Sequence, residues 1–335
     1  MPFKWNTSLV SGNLRSLQIQ TLVAPIGPQS AQITLDRVHH ALAQNLTLEH
    51  LSLSFHAIHP SLLPLDTLKL PVLRSLHLTG NLVICKLLEA ISAPALETIV
   101  LNMDYEGLDT TLIQFLVRSQ HPPVHTLSIG YDNTGGVFGM AMHYPQHMDN
   151  EPGPWQFLSA LPQLRTLKIG RTNLDLLLDA LKSRDGSWPV PQLEHLALRG
   201  CNSTMGEAES PKFFTVINER NPPQNGEPPL PTSLTLPPQF NPWFIPPGHL
   251  PPPGFMGNIT PPTPPSPILP SAPPVGAAPS TNGNHFERLR ILEMHDCLTL
   301  GDNVVKLLRT RIDEVRYTRP YRYGCCGPSM THMID

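Results

Sequence analysis

The chain has 335 residues, a formal net charge of −3 and charged side chains at only 15% of its positions. This balance excludes a global field that would draw the protein onto nucleic acid or an anionic membrane, so binding must depend on local surfaces. No apolar run reaches the roughly 20 residues of a membrane span, and the first residues lack a signal-peptide layout. The five scattered cysteines are typical of an intracellular protein, cytoplasmic or nuclear, rather than a disulfide-bonded secreted one.

Nine short apolar motifs of the form L-x-x-L-x-L recur along the chain and predict its fold. They begin at Leu14, Leu48, Leu73, Leu96, Val124, Leu164, Leu193, Leu289 and Ile312. The motif at Leu73 continues as LRSLHLTGNLV, which matches the whole leucine-rich-repeat consensus L-x-x-L-x-L-x-x-N/C-x-L. Five of the eight spacings between motifs fall between 23 and 29 residues, as expected for repeats of this class.

Helical patterns lie between the motifs, over residues 35–45, 85–92, 108–120, 155–161, 174–186 and 302–311. In one of them Leu112, Phe115 and Leu116 recur at three- and four-residue spacing, which gives one apolar helical face. A single strand-helix unit cannot bury such a face, whereas stacked units share one core. The sequence therefore predicts an α/β leucine-rich-repeat solenoid, with a curved parallel sheet of about nine strands on the concave side and helices on the convex side.

The predicted array is interrupted late in the chain by a proline-rich insertion. Residues 1–220 carry the first seven repeats, residues 286–320 carry the last two with a C-terminal cap, and residues 321–335 form a flexible tail. The insertion is the segment 221–285, between the seventh and eighth repeats. Its residues 221–280 contain 22 of the 40 prolines and a single charged side chain. Because proline blocks helix and sheet hydrogen bonds, we expect this segment to be polyproline-II-like or disordered.

Three hydroxyl side chains in the proline-rich insertion directly precede a proline: Thr260, Thr263 and Ser266. Proline-directed kinases act at such positions, and phosphorylation would add about −1.5 to −2 charge per site to a nearly uncharged segment. The alternative is a tolerated linker without a regulatory role.

A second insertion, residues 131–154, leaves from the carboxyl end of the fifth predicted strand. Ligands of parallel-sheet proteins commonly bind at that edge, and Tyr131, His143 and Tyr144 make the insertion a candidate protein-binding loop. His143 and His147 have the spacing of a metal-binding pair on a helix. Pro145 between them disfavours that helix, so we expect neither a metal nor a cofactor.

The concave face of the predicted sheet is where partner binding is expected, since alternation turns the polar motif positions toward it. Its candidate residues are His50, His77, Asn102, Lys168, Arg171, Arg199, His295 and Arg316. Lys168, Arg171 and Arg199 belong to adjacent repeats, so we expect one cationic patch. Among the acidic residues of those two strands only Glu194 could offset it. Such a patch suits an acidic or phosphorylated segment of another protein.

The ninth position of each motif serves the turn after the strand, where backbone groups otherwise lack partners. Asn81, Thr172, Cys201 and Cys297 occupy it, so both cysteines are interpreted as structural. No phosphate-binding loop, nucleophile elbow, zinc-protease or C-x-x-C motif is present in the sequence. We therefore expect a protein that binds without catalysis.

Strings such as PVLRSLHLTGN, ISAPALETIVL and PQLEHLALRGC resemble the divergent repeats of fungal F-box/leucine-rich-repeat proteins, particularly the mushroom-type families. The resemblance covers about 14–220 and 286–318. In that family an N-terminal F-box docks the adaptor of a cullin-type ubiquitin ligase, and the repeats capture the protein to be ubiquitinated. Only thirteen residues precede Leu14, fewer than an F-box needs. The resemblance therefore implies substrate recognition, and adaptor docking only if an F-box lies upstream.

An alternative function comes from the C-terminal stretch RTRIDEVRYTRPYRYGCCG, in which five arginines alternate with three tyrosines. Basic and aromatic side chains together bind single-stranded nucleic acid by charge and stacking. This stretch predicts a nucleic-acid or ribonucleoprotein-associated scaffold, unless it serves only as the end cap of the last repeat.

Overall fold

The computed structural model describes residues 13–20, 33–55, 58–61, 64–103, 108–131, 155–183, 187–201, 211–223, 230, 286–297 and 302–318. The chain divides into two units, Met1–Leu234 together with His285–Asp335, and Thr235–Asn284. The second unit lies entirely outside the described residues. Every element below therefore belongs to the first unit.

Nine strands form one sheet in which each strand lies parallel to its neighbours and the strand order follows the chain. They are β1 Ser16–Gln20, β2 His50–Ser54, β4 Ser75–Gly80, β6 Thr98–Met103, β7 Thr126–Ile129, β8 Thr166–Gly170, β9 His195–Arg199, β10 Ile291–His295 and β11 Glu314–Thr318. Two short strands, β3 Leu68–Lys69 and β5 Ile91–Ser92, form a separate parallel pair. The predicted α/β class with a parallel sheet is confirmed, and each apolar motif lies at one strand of the large sheet.

The described residues contain six α-helices and one 3-10 helix. They are α1 Leu35–Ala43, α2 Leu82–Ala90, α3 Leu108–Arg118, the 3-10 helix Gln156–Ala160, α4 Leu174–Leu181, α5 Pro211–Arg220 and α6 Asp302–Arg311. Helices that follow one another along the chain pack together, as α1 does on α2 and α2 on α3. The 3-10 helix contacts both α3 and α4, so it continues this layer between them.

The core lies between the sheet and this helical layer. Each strand of the large sheet contributes one side chain to a row that points into this core. The row consists of Leu17, Leu51, Leu76, Ile99, Leu127, Leu167, Leu196, Leu292 and Val315, and all nine are buried. Helical leucines such as Leu42, Leu88 and Leu178 belong to the same cluster. Side chains alternate along a strand, so the intervening positions lie on the opposite side of the sheet, called the outer face below.

Asparagines close the ends of the elements where backbone groups would otherwise be unpaired. Asn81 and Asn173 cap α2 and α4, each accepting a hydrogen bond from the backbone N–H two residues later. Asn221, fully buried after α5, accepts from the Leu289 N–H at 3.1 Å and donates to the Leu289 and Arg311 carbonyls at 2.8 and 3.0 Å. This one side chain ties the end of α5 to the segment that precedes β10 and to the last residue of α6.

The structure adds elements that the motif pattern does not predict. Helix α5 was not among the predicted helices, and the predicted helix 155–161 is a short 3-10 helix. Asn221 and Leu230, assigned from the sequence to the proline-rich insertion, are both buried in the first unit. The Leu230 N–H donates to the Asn218 side-chain oxygen, and the Leu230 carbonyl accepts from the Asn218 side-chain nitrogen. The packed part of the first unit therefore includes residues beyond 220.

Candidate functional site on the outer face

Polar side chains cross the outer face in rows, because neighbouring strands are in register. The first row consists of Ser16, His50, Ser75, Thr98, Thr126, Thr166, His195, Ile291 and Glu314. The second row consists of Gln18, Ser52, His77, Val100, Ser128, Lys168, Ala197, Glu293 and Arg316. No Asp, Glu, Lys or Arg occurs in these rows from β1 to β7. All their formal charges lie on β8 to β11.

The uncharged part of the face contains a small hydrogen-bonded cluster. The His77 ring Nε2 lies 3.3 Å from Thr79 Oγ1 and 3.3 Å from Asn102 Nδ2. Asn102 is only 7% exposed, and its Oδ1 is buried without a hydrogen-bond partner among the described residues. The structure brings the predicted residues His77 and Asn102 together, while His50 is exposed on β2.

Glu293 is the centre of the charged part. Its side chain is only 9% exposed, and its Oε1 accepts a 2.6 Å hydrogen bond from Arg316 Nη1. His195 Nε2 lies 3.3 Å from the same oxygen, close enough for an ion pair but without hydrogen-bond alignment. The other carboxylate oxygen of Glu293, Oε2, accepts a 3.2 Å hydrogen bond from the Tyr131 hydroxyl and lies 3.9 Å from His295 Nε2. A buried carboxylate is thus surrounded by groups from β9, β10, β11 and the end of β7.

Tyr131 lies across the sheet, which corrects its predicted role as a surface residue of a loop. Only 6% of it is exposed, and its ring faces two cations. Lys168 Nζ lies 5.7 Å from the ring centroid and Arg199 Cζ lies 4.7 Å from it. Both distances fit cation–π contacts. Arg199 also donates a hydrogen bond to the Tyr131 carbonyl at 3.2 Å, so side chain and backbone both hold the arginine.

Two glycines allow the backbone before Tyr131 to turn onto the face. Gly130 has φ +65, a left-handed conformation that favours glycine. A Cβ on Gly170 would lie 2.2 Å from the Gly130 carbonyl oxygen and 2.9 Å from the Tyr131 Cα. The two backbones therefore approach each other too closely for any other residue at position 170. On β9, the position paired with Lys168 is the small, fully buried Ala197, and the position paired with Gly170 is Arg199.

The environment of the cluster shifts the pKa of two of its members. Burial lowers the pKa of His195, and the opposing attraction of Glu293 does not fully compensate. Burial alone would raise the pKa of Glu293, but His195, the Tyr131 hydroxyl, Arg316 and Lys168 together outweigh it, and the pKa is lowered. The carboxylate is therefore ionised at neutral pH and His195 is mainly neutral.

The predicted cationic patch is present in part. Lys168 and Arg199 meet at the Tyr131 ring, as their adjacent strands imply. Arg171 follows β8 in a left-handed conformation, and its N–H donates to the Arg199 carbonyl at 2.8 Å. Glu194, expected to offset the patch, instead lies 3.8 Å from Arg290. A carboxylate that does interact with Lys168 is Glu293 on β10, a strand outside the two from which the patch was predicted.

Among the ninth motif positions, Asn81, Cys201 and Cys297 bond to backbone groups at the ends of elements, in agreement with their predicted structural role. The hydroxyl of Thr172, assigned the same role, is buried and has no hydrogen-bond partner among the described residues. Cys201 is buried, its thiol donates to the Ile169 carbonyl at 3.6 Å, and its N–H donates to the Cys297 sulfur at 3.3 Å. The contact with Cys201 and burial both raise the pKa of Cys297. That thiol stays protonated and donates to the His295 carbonyl at 3.2 Å.

The C-terminal basic and aromatic stretch is partly engaged inside the first unit. Arg311 is 3% exposed and donates to the Asn218 side chain, while Arg316 pairs with Glu293 and Glu314. Tyr317 packs against the core at the end of the sheet. All three side chains therefore make contacts within the first unit.

Several predicted residues lie outside the described residues: His143, Tyr144, Thr260, Thr263 and Ser266. Within the described part of the chain, no group of three or more His, Cys, Asp or Glu side chains could hold a metal ion. No described helix is long and apolar enough to cross a membrane.

Comparison of the chain with protein-family models, with curated proteins and with solved structures found no match. Any function of the chain must therefore be inferred from the residues of the outer face.

Proposed function

We propose that this chain is an intracellular, non-catalytic leucine-rich-repeat solenoid whose outer face binds an extended segment of another protein. In this it would resemble the substrate-recognition part of an F-box ubiquitin-ligase receptor. The supporting sequence feature is the set of nine motifs, and the structural support is their coincidence with nine parallel strands in chain order.

The observation that carries the proposal is the first row of the outer face. Each of its nine side chains, from Ser16 on β1 to Glu314 on β11, is exposed or half-buried. Strands about 4.8 Å apart make this row about 38 Å long, the reach of about 11 extended residues. Regularly spaced hydroxyl, imidazole and charged groups along such a row can form hydrogen bonds to an extended polypeptide.

Site-specific photo-crosslinking tests whether a protein binds on this face. A benzophenone amino acid replaces His50 or Thr126 on the outer face, and Gln114, exposed on α3, serves as the matched control. We expect crosslinked partners in cells from the two outer-face positions and none of the same partners from position 114. Partners crosslinked only from position 114, or from none of the three, would overturn the proposal.

The ligase part of the proposal has a separate readout. Immunoprecipitates of the full-length gene product are probed for a cullin adaptor, and the crosslinked partners are probed for ubiquitin chains that depend on it. We expect both signals if the natural product carries an F-box. A partner that is captured without either signal would leave a binding protein that does not serve a ligase.

A further inference from the structure

Lys168 and Arg199 are held side by side at the same aromatic ring. Their charged groups lie 5.7 and 4.7 Å from the centre of Tyr131. Both side chains are half-buried, so solvent screens their mutual repulsion less than it would at an exposed surface. An arrangement that concentrates two like charges is unfavourable unless something else compensates them.

Six other cations of the described residues have carboxylate partners, and the buried Arg220 donates to backbone carbonyls instead. These pairs are Arg15 with Glu49, Arg74 with Glu97, Lys86 with Glu89, Lys212 with Asp179, Arg290 with Glu194, and Arg316 with Glu293 and Glu314. Within the described residues, neither Lys168 nor Arg199 forms an ion pair with a carboxylate. Glu293, whose pKa Lys168 helps to lower without forming an ion pair with it, already accepts from Arg316 and Tyr131 and contacts His195.

The two cations are also positioned in advance. Tyr131 is fixed at one end by its hydroxyl on Glu293 and at the other by the close approach of its backbone to Gly170. Arg199 stacks on the ring and donates one of its N–H groups to the Tyr131 carbonyl. A guanidinium held in this way loses little conformational entropy when it binds, and it keeps other donors for a ligand.

We propose that Lys168 and Arg199 bind a phosphorylated serine or threonine within the extended segment that the outer face captures. A phosphate carries about −1.5 to −2 charge near neutral pH, which matches two adjacent cations, whereas one carboxylate would neutralise only one of them. Its oxygens can accept from the ammonium and the guanidinium together. On the amino-terminal side, the half-buried hydroxyls of Thr126 and Thr166 can bind the uncharged backbone of the same segment.

This inference depends on the proposed protein-binding function, and its test uses defined peptides. Three libraries of 11-residue peptides, random except for a central phosphothreonine, threonine or glutamate, are passed over the immobilised full chain. We expect retention of the phosphothreonine library at least roughly tenfold above the other two, as charge-assisted hydrogen bonds imply. Inorganic phosphate in solution should compete for the same site.

Variants distinguish the effect of the Lys168 and Arg199 pair on peptide retention from the effect of the overall charge of the protein. Lys168→Met with Arg199→Gln should abolish the roughly tenfold preference. Lys86→Met with Arg74→Gln removes the same two charges elsewhere and should preserve it. Arg199→Lys keeps the charge but not the paired donors and should weaken retention while leaving the melting temperature close to that of the original chain.

Two results would overturn the phosphate site: equal retention of the phosphothreonine and threonine libraries, or a preference that survives in the Lys168/Arg199 double variant. Preferential retention of glutamate peptides would overturn it in favour of an acidic partner. Photo-crosslinking from His50 and Thr126 remains a separate measurement. If those crosslinks persist while phosphopeptides fail, the binding function stands and only the phosphate site is wrong.

Discussion

The two parts of the outer face use one backbone arrangement for opposite chemistry. From β1 to β7 the first two rows carry hydroxyl, amide, imidazole and one valine side chain, and the bonded cluster at His77 is uncharged. From β8 to β11 the same rows carry Lys168, Glu293, Glu314 and Arg316. Parallel pairing fixes the spacing of side chains in both parts, but not their identity.

The difference shows what charged groups require that neutral ones do not. Small hydroxyls on a sheet can exchange water for a partner at little cost, whereas a nearly buried carboxylate needs several donors to offset its desolvation. Glu293 accepts hydrogen bonds from Arg316 on β11 and from Tyr131, a residue beyond the end of β7, and the His195 ring on β9 lies 3.3 Å from it. We therefore expect the charged part to be more sensitive to substitution than the uncharged part.

The largest effect should follow Gly170→Ala. The added Cβ would lie 2.2 Å from the Gly130 carbonyl, so the backbone carrying Tyr131 must move and its contact with Glu293 weakens. We expect a loss of about 1–3 kcal/mol in the free energy of unfolding, measured by urea denaturation. Ser75→Ala on the uncharged part should change it by less than about 0.5 kcal/mol. Equal effects of the two changes would contradict the proposed difference between the parts.

A smaller loss is expected for Glu293→Gln. The change keeps the shape of the side chain but leaves Arg316 and the Tyr131 hydroxyl with a weaker acceptor, at a cost of about 1–2 kcal/mol. Glu97→Gln, in the solvent-exposed pair with Arg74, is the matched control and should cost less than about 1 kcal/mol. If both variants unfold at the same urea concentration, the burial of Glu293 has no energetic consequence.

The smallest effect concerns pH. Burial lowers the pKa of His195 in the folded chain, so the unfolded chain binds its proton first as the pH falls. The stability from neutral His195 is present above its ordinary pKa of about 6.5 and is lost as the pH falls through the lowered value. We expect His195→Gln to flatten the decline in melting temperature between neutral and mildly acidic pH. A variant with the same slope as the original chain would show that other groups cause the decline.

The sheet could be predicted from the sequence because one residue type repeats at one spacing. Leu76 and Leu78 are typical of the motifs: in the large sheet each strand from β2 to β10 buries two apolar side chains that point the same way, and this regularity is visible in a single chain. At the two end strands the second of these side chains, Ile19 or Tyr317, is only partly buried. Helix α5 was missed because no apolar motif follows it for many residues, and the pair β3 and β5 was missed because two-residue strands have no periodicity.

The candidate site was only partly predictable, since its contacts cross between strands and beyond their ends. The meeting of Lys168 and Arg199 followed from adjacency of their motifs. The position of Tyr131 could not be predicted, because the residues next to it in the sequence do not distinguish a loop residue from one that lies across a sheet. Gly130, Gly170 and Ala197 are the only signal, and small residues on neighbouring strands acquire meaning only once the register is known.

The order of the strands also has a consequence for how the chain folds. Most neighbouring strands are joined by short stretches, such as the 23 residues between Leu292 and Val315, but 96 residues separate Leu196 from Leu292 on the paired strands β9 and β10. For an ideal flexible connection, a fourfold longer loop costs about 1.2 kcal/mol more to close. Strands β1 to β9 can therefore assemble progressively through local contacts, and β10 and β11 join after the slowest closure. We therefore expect the Glu293 cluster, which needs β10 and β11, to be completed late in folding, so that its formation would report the pairing of β9, β10 and β11.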